Sequence, residues 1–207
     1  MSGVPQAAGP RSVCVFDLGG VLLDWQPAAL AERLFPPAER GAVVQQVLMH
    51  SDWLRLDRGT LSLDAAIDAA SGRTGLPRRR IATLFHEMPA ALVPKPSTVA
   101  ILERVCARGH AAYCLSNMPR HALGHIMGYR FWRLFNGAVI SSRCGMVKPE
   151  SRIYRWLLQT HAVDPAQAFF IDDRLENITA ANAVGIAGHC FQGAERCETA
   201  LAEVGLL

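Results

Sequence analysis

Apolar and polar residues follow two different patterns along the chain. Residues 12–16 form a mainly apolar, strand-like run that ends at Asp17. Over residues 27–94, apolar positions recur at helical spacing with no convincing strand among them. From Pro96 onward, helical and strand-like segments alternate to the end of the chain. This alternation predicts right-handed βαβ crossovers and a parallel sheet covered by helices on both faces.

The helical stretch is predicted to contain the helices Ala28–Phe35, Ala42–Met49, Ser62–Ala70 and Arg79–Glu87. The alternating stretch is predicted to contain, in order, helix Thr98–Arg108, strand Ala111–Leu115, helix Arg120–Met127, strand Ala138–Ser141, helix Glu150–His161, strand Ala168–Ile171, helix Glu176–Val184, strand Ile186–Phe191 and a helix near Ala194–Glu203. The expected fold class is α/β, a doubly wound parallel sheet with an inserted all-helical unit. We expect residues 12–26 and 95–207 to form the α/β core and residues 27–94 the insertion.

The composition and charge of the chain argue against some classes of binding partner. At 207 residues, 50% of them hydrophobic, the chain can bury the core of one domain with a small inserted lobe. The formal charge of +3 is mild and its basic residues are scattered, so no nucleic-acid partner is expected. No apolar run approaches the ~20 residues that cross a bilayer, and residues 1–11 do not resemble a signal peptide, so no membrane partner is expected either. The six cysteines show no C-x-x-C pair or zinc-like spacing, which is typical of reduced thiols in a cytoplasmic protein. We expect a monomer or a homodimer.

Polar residues follow the predicted strands at the end where ligands bind in parallel sheets, beyond the carboxyl ends. They come from four separate strands: Asp17 after the first, Ser116 and Asn117 after the second, Lys148 in the loop after the third, and Asp172 and Asp173 after the fourth. We therefore expect these side chains to converge on one edge of the sheet.

Asp17 ends its strand just before Gly19 and Gly20, a pattern that fits a carboxylate nucleophile beside a turn whose backbone can approach an anion. The N–H groups of Leu18 and Gly19 are expected to help cradle that anion. If Asp17 is considered by itself, the alternative is an aspartate that caps a turn or a helix. The other strand-end residues make that alternative less favoured.

Two further side chains suit phosphate chemistry. Lys148 can neutralise both the nucleophile and a phosphoryl group, and Ser116 can donate a hydrogen bond to a phosphoryl oxygen. Taken alone, Lys148 is better explained as an exposed surface lysine. Asn117 is expected to orient this loop or to contact the substrate.

Four motifs, in this order, resemble those of the haloacid dehalogenase-like hydrolases. They are Phe16-Asp17-Leu18-Gly19-Gly20-Val21-Leu22, a second strand ending in Ser116, Gly145-Met146-Val147-Lys148-Pro149-Glu150, and Phe170-Ile171-Asp172-Asp173-Arg174-Leu175-Glu176-Asn177. Each motif is weak alone, but four in order at strand ends are specific. The resemblance spans nearly the whole chain and implies a Rossmann-like core whose helical insertion is a mobile cap.

The resemblance also implies a Mg²⁺ cofactor, because a phosphate dianion is repelled by a carboxylate nucleophile unless a hard cation lies between them. The implied ligands are an Asp17 oxygen, the Gly19 carbonyl and Asp173, with Asp172 or Asn177 supporting them. The sequence alone leaves open whether Asp172 or Asp173 binds the ion directly.

Gly19 departs from the usual phosphatase pattern, in which a second aspartate lies two residues after the nucleophile and acts as general acid and base. Loss of that group costs about 10²–10⁴-fold in rate unless another residue or solvent takes over. The Asp-Leu-Gly-Gly-Val form nevertheless resembles a branch regarded as sugar-phosphate phosphatases.

The primary hypothesis is therefore a Mg²⁺-dependent phosphomonoesterase that acts on a small phosphorylated metabolite, a sugar phosphate first, through an aspartyl-phosphate at Asp17. A metal-independent 2-haloacid dehalogenase is the first alternative, although the Asp172-Asp173 pair argues against it. A weakly catalytic protein that binds a phosphorylated metabolite is the second.

Within the insertion, the segment Asp52–Gly59 is the best candidate for substrate contact. Trp53 offers an aromatic surface for a sugar face and Arg58 a charged group. The alternative is that Trp53, with its apolar neighbours, packs inside the insertion.

Overall fold

The centre of the fold is a parallel sheet of five strands, seen in a computed structural model that describes residues 12–207. The strands in this range are β1 (Val13–Phe16), β2 (Leu23–Asp24), β3 (Val93–Pro94), β4 (Ala111–Ser116), β5 (Gly137–Ile140), β6 (Ala168–Asp172) and β7 (Ala187–Cys190). The order in the main sheet is β5-β4-β1-β6-β7, with every pair parallel. The predicted α/β class and doubly wound sheet are confirmed.

Helices cover both faces of this sheet and fill the insertion. They are α1 (Pro27–Leu34), α2 (Pro37–Val43), α3 (Ser51–Arg58), α4 (Leu63–Thr74), α5 (Arg78–Ala91), α6 (Pro96–Ala107), α7 (Arg120–Met127), α8 (Ser141–Cys144), α9 (Ser151–Thr160), α10 (Leu175–Asn182) and α11 (Ala194–Glu203). A π-helical turn, Val44–Leu48, continues α2, and short 3₁₀ helices lie at Arg130–Leu134 and Pro165–Gln167. Among the helices of residues 12–207, none has the length and apolar character to cross a membrane.

The central strand β1 divides the core into two apolar layers because successive side chains of a strand point to opposite faces. Cys14 and Phe16 are buried with α6 and α11 on one face. Val15 is buried with α9 and α10 on the other. The chain passes from β1 to β4 on one side and later returns to β6 on the other, so the carboxyl end of β1 lies at the point where the winding reverses, a usual place for a ligand crevice.

The insertion leaves and rejoins the core through two short antiparallel strands, with Leu23 opposite Pro94 and Asp24 opposite Val93. Between them, α1 to α5 pack around a buried apolar cluster that is continuous with one layer of the core. Helix α3 ends at Gly59, whose φ of +78° is the left-handed conformation that glycine adopts readily.

Most predicted elements are found within a few residues of their predicted bounds, and α7 has the bounds expected. The predicted helix Ala42–Met49 is instead the end of α2 and the π-helical turn. The elements not predicted are the two-residue strands β2 and β3, the helix α3, the four-residue helix α8 and the two short 3₁₀ helices. Helix α3 was hidden because Asp57, a charged residue, is one of its buried positions, so the usual apolar stripe is interrupted.

Candidate active site

The carboxyl end of the sheet opens into a cavity of about 480 Å³ between the core and the insertion. Asp17 directly follows β1, and Ser116 and Asp172 are the last residues of the two neighbouring strands. The structure therefore brings the predicted strand-end residues together, because β4, β1 and β6 are adjacent. The cavity walls include Asp17, Gly19, Asn117, Lys148, Asp173 and Asn177.

Lys148 lies between two carboxylates and is almost completely buried. Its Nζ is 2.8 Å from Asp17 Oδ1 and 2.6 Å from Asp172 Oδ2. Burial lowers the pKa of Lys148, but the adjacent carboxylates of Asp17 and Asp172 outweigh it, and the net result is a raised pKa. The side chain is therefore a buried ammonium ion rather than an exposed surface lysine.

Asp17 is the carboxylate that this ammonium faces. Burial is the largest influence and raises its pKa, the charge of Lys148 lowers it, the charge of Asp172 raises it, and hydrogen bonds from Lys148 and from the Ser116 hydroxyl lower it; the net pKa is about 7. Leu18 N–H donates to Asp17 Oδ1 at 2.7 Å. A cation against the same carboxylate would lower this pKa further, since opposite charge favours the ionised form.

Asn117 fixes the loop that carries Lys148. Its Nδ2 donates to the Lys148 carbonyl at 3.0 Å, and its Oδ1 accepts from the Lys148 N–H at 2.8 Å. This pair of bonds holds the backbone of Lys148 at the edge of the sheet. Of the two roles predicted for Asn117, the structure places it in the orienting one, and its side chain also lines the cavity.

The two glycines after Asp17 have different surroundings. A Cβ on Gly20, which has a φ of +76°, would lie 2.3 Å from Asp173 Oδ2, so glycine is needed there for Asp173 to approach the loop. A Cβ on Gly19 would meet no heavy atom within 4 Å. A Cβ at Gly19 would therefore meet no steric clash.

The carboxylates fit an oxygen-liganded cation. Asp17, Asp172 and Asp173 each place one oxygen within 4.8 Å of the others. Burial, and next the charge of Asp172, raise the pKa of Asp173. Within the described residues, Asn177 Oδ1 is buried without a hydrogen-bond partner, an acceptor left available for a bound ion or its water.

Asp172 is already engaged by protein donors. Its Oδ1 accepts from Arg174 N–H at 2.9 Å and from Asn177 Nδ2 at 2.8 Å, and its Oδ2 faces Lys148. Asp173 has an exposed carboxylate on the cavity wall. The carboxylate of Asp172 is thus held by protein donors, whereas the carboxylate of Asp173 is available to a ligand.

Of the two residues predicted to contact substrate from the insertion, the structure brings one to the cavity. Trp53 lines it and stacks between Trp25 and Phe85, with both ring centroids at 5.7 Å. Arg58 is not among the cavity residues. Its guanidinium pairs with Glu150 at 2.5 Å and with the Gly145 carbonyl at 3.3 Å, so it joins α3 to the core.

Asp57 belongs to the segment predicted to contact substrate, Asp52–Gly59, but the sequence did not single it out. Its side chain lines the cavity with Asp17 although it belongs to the insertion, it is only 8% exposed, and its Oδ1 has no hydrogen-bond partner among residues 12–207. Burial, and next the charge of Asp17, raise its pKa to about 7, while Lys148 lowers it. One signal was available: an acidic residue two positions before a glycine that ends a helix is unfavourable to the helix dipole and calls for another explanation.

The chain is similar to known proteins both in sequence and in fold. A family model described as haloacid dehalogenase-like hydrolase matches residues 12–185. A sesquiterpene phosphatase of Aspergillus oryzae, astK, is 29% identical over 175 residues, which cover 84% of this chain and 86% of that protein.

Among solved structures, an enzyme of the same family from Bacteroides thetaiotaomicron, in complex with magnesium and inorganic phosphate, has a TM-score of 0.69 at 20% identity and covers 86% of this chain and 93% of its own. An L-2-haloacid dehalogenase from Xanthobacter autotrophicus with covalently bound chloropropionic acid has a TM-score of 0.67 at 18% identity and covers 95% of this chain and 84% of its own. Both are similar in fold, so the fold alone does not decide between phosphoryl and haloacid chemistry.

Proposed function

The chain belongs to the haloacid dehalogenase-like hydrolases, and from that membership we propose that it is a Mg²⁺-dependent phosphomonoesterase with Asp17 as its nucleophile. The observation that carries this proposal is a charge imbalance. Asp17, Asp172 and Asp173 lie close together, and Lys148 is the ammonium that lies between two of them. An anionic substrate needs more positive charge than that before it can approach Asp17.

A divalent cation with oxygen ligands meets this need. Asp17, Asp173 and the Gly19 carbonyl would hold the ion, while Asp172 and Asn177 orient the site from behind. When bound, Mg²⁺ would screen the nucleophile from the phosphoryl group and polarise that group's oxygens.

The remaining steps belong to the protein's own side chains. Asp17 attacks phosphorus and forms an acyl phosphate as the bond to the leaving oxygen breaks. Lys148 favours the ionised form of Asp17 and stabilises charge on the phosphoryl oxygens, and Ser116 turns its hydroxyl from Asp17 to one of them. The Leu18 and Gly19 N–H groups complete the cradle. Water then cleaves the acyl phosphate and restores Asp17.

The cavity wall formed by the insertion favours an apolar organic group on the substrate. Its apolar members are Leu48, Met49, Trp53 and Leu54, with Trp25 of the core beside them, and they outnumber the polar His50 and Ser51 of the same wall. A polar sugar would find fewer hydrogen-bond partners than it has hydroxyls on the apolar members of this wall, at a cost for each unpaired group. The A. oryzae relative is named as a sesquiterpene phosphatase, which agrees with a prenyl phosphate. The insertion would act as a cap over such a substrate.

The sugar-phosphate prediction stays as the second substrate class, because an indole ring such as that of Trp53 can also stack on a sugar face. The dehalogenase alternative is disfavoured by the three carboxylates and by Arg58. A dehalogenase of this family usually needs a cap arginine near its nucleophile, and Arg58 is engaged by Glu150.

The test is phosphate release by the purified chain from farnesyl phosphate, glucose 6-phosphate and p-nitrophenyl phosphate, each with Mg²⁺ and with EDTA. Asp17→Asn is the matched control. We expect release that requires Mg²⁺ and Asp17, with the highest kcat/KM for the prenyl compound. Release equal to that of Asp17→Asn would overturn the phosphatase proposal, and binding of these compounds without turnover would favour the weakly catalytic protein. Halide release from 2-chloropropionate in EDTA would favour the dehalogenase.

A further inference from the structure

We infer that Asp57, a residue of the helical insertion, is the general acid and base of this site and takes the role that Gly19 leaves without a side chain. This inference rests on the proposed phosphatase function. It assigns a catalytic group to helix α3, which sequence analysis did not recognise as a helix.

The first support is the position of the side chain. Asp57 lines the same cavity as Asp17 and Lys148, yet it is more than nine-tenths buried. Its Oδ1 has no hydrogen-bond partner within residues 12–207. A buried carboxyl oxygen without a partner is costly, so its presence at the nucleophile is explained if it meets the substrate.

The second support is that the backbone of α3 is anchored to the core at this residue. The Ser141 hydroxyl donates to the Asp57 carbonyl and accepts from the Met118 N–H at 2.9 Å. At Gly59 a Cβ would lie 2.6 Å from the Ser142 carbonyl oxygen, so helix and core touch there through backbone atoms. These contacts hold Asp57 in a fixed relation to the end of the sheet, as a catalytic group requires.

The third support is the charge around the carboxyl group. Burial and the negative charge of Asp17 both favour the protonated acid, and Lys148 opposes them, which leaves a pKa of about 7. A general acid works best when its pKa lies near the working pH, because it is then both protonated in part and able to release its proton.

The proton balance of the two steps is complete with this residue. As Asp17 attacks, the bond from phosphorus to the leaving oxygen breaks and its electron pair stays on that oxygen. Asp57 gives its proton to the same oxygen, and a neutral alcohol leaves. In the second step the Asp57 carboxylate takes a proton from the attacking water. The bond from phosphorus to Asp17 then breaks, which releases inorganic phosphate and restores both carboxyl groups.

The decisive experiment is a leaving-group series of aryl and alkyl phosphates, including p-nitrophenyl phosphate and the prenyl compound, assayed with Mg²⁺. Asp57→Asn keeps the shape of the side chain and removes the proton. We expect it to slow alkyl phosphates by about 10²–10⁴-fold and p-nitrophenyl phosphate by less than about tenfold, because an acidic leaving group needs no proton. Asp68→Asn, an exposed carboxylate of the same insertion, is the control for charge and should leave all rates unchanged.

A second variant moves the acid instead of removing it. Because a Cβ at Gly19 meets no heavy atom within 4 Å, adding Gly19→Asp to Asp57→Asn should restore the alkyl phosphates more than the aryl ones. A purely structural role for Asp57 would not give that selective rescue. Binding of inorganic phosphate with Mg²⁺, followed by calorimetry, should be retained in Asp57→Asn.

The wild-type protein supplies a measurement that does not depend on the folding of any variant. With an acid in place its rate should vary weakly with the pKa of the leaving alcohol, and a steep dependence would overturn the role of Asp57. An equal loss for every leaving group in Asp57→Asn would do the same. If the wild-type protein released no phosphate from any member of the series, the proposed function would fail, and the role of Asp57 with it.

Discussion

The ammonium of Lys148 lies 2.8 Å from the carboxylate of Asp17, and both groups are more than nine-tenths buried. Such a pair is hard to break, because removal of one partner leaves a charge without compensation away from water. The ammonium of Lys148 also compensates the negative charge of Asp172. The same side chain therefore supports both the fold and the chemistry.

Lys148→Met is expected to lower kcat/KM by at least about 10²-fold, because charge on the phosphoryl oxygens loses a buried donor. It should also reduce the free energy of unfolding by about 3–5 kcal/mol, since two carboxylates lose their cation. Steady-state kinetics and urea denaturation measure the two effects. Activity within tenfold of the wild type would contradict the role given to Lys148.

The convergence of Asp17, Ser116 and Asp172 was predictable from the sequence because it follows from sheet geometry. Any residue at the carboxyl end of a parallel strand reaches the same edge, whatever the rest of the fold does. The position of Asp57 was not predictable in this way. It depends on how an insertion packs on the core, which is decided by contacts between residues far apart in sequence, such as Arg58 with Glu150.

Substitutions of Asp172 and Asp173 at the proposed metal site should have different effects on stability and on its response to Mg²⁺. Mg²⁺ should raise the thermal unfolding temperature, because a ligand that binds the folded state stabilises it. At a Mg²⁺ concentration a hundredfold above Kd, the free energy of unfolding rises by about 2.7 kcal/mol. Asp173→Asn should abolish this shift and leave the metal-free protein stable. Asp172→Asn should destabilise the metal-free protein, since Lys148 would lose a partner. An undiminished Mg²⁺ shift in Asp173→Asn would show that Asp173 is not a ligand.

Arg58 is expected to act through Glu150 rather than on the substrate. If so, Arg58→Met and Glu150→Gln should lower kcat by similar factors, and the double variant should lose less than the product of the two, because both remove the Arg58–Glu150 ion pair, while Glu150 also pairs with Arg152. The loss of stability should be about 1 kcal/mol or less, since both side chains are partly exposed. Additive losses of kcat in the double variant, or a Glu150→Gln variant with the wild-type kcat, would instead indicate direct contact of Arg58 with the substrate.

Leu54 offers a test of the substrate class, because it lines the cavity and is 46% exposed, so a polar side chain there should not disturb the fold. Leu54→Gln should raise KM for the prenyl phosphate by roughly tenfold, as apolar contact with the chain is lost. KM for glucose 6-phosphate should change little. Trp156→Gln, at a similarly exposed apolar residue on α9, is the control. A larger effect on the sugar phosphate would favour the sugar class.

Asp57 predicts a pH dependence of stability in the metal-free protein. Its pKa is about 7 in the folded state, against an ordinary value of 3.8. Between these values the unfolded chain has lost the proton that the folded chain keeps, so the contribution of Asp57 to stability is present below about pH 4 and is lost as the pH rises towards 7.

Asp57→Asn cannot ionise, so it should escape this loss. Its stability relative to the wild type should therefore increase from pH 4 to pH 7 and level off above that. Each pKa unit corresponds to about 1.4 kcal/mol, so the increase should reach a few kcal/mol. Urea denaturation at four pH values, in EDTA, measures it as a slope, which cancels any fixed cost of the substitution. Asp17 and Lys148, the charged groups that act on Asp57, are present in both proteins. A difference that stays constant with pH would mean that the carboxyl group of Asp57 is already ionised in the folded protein.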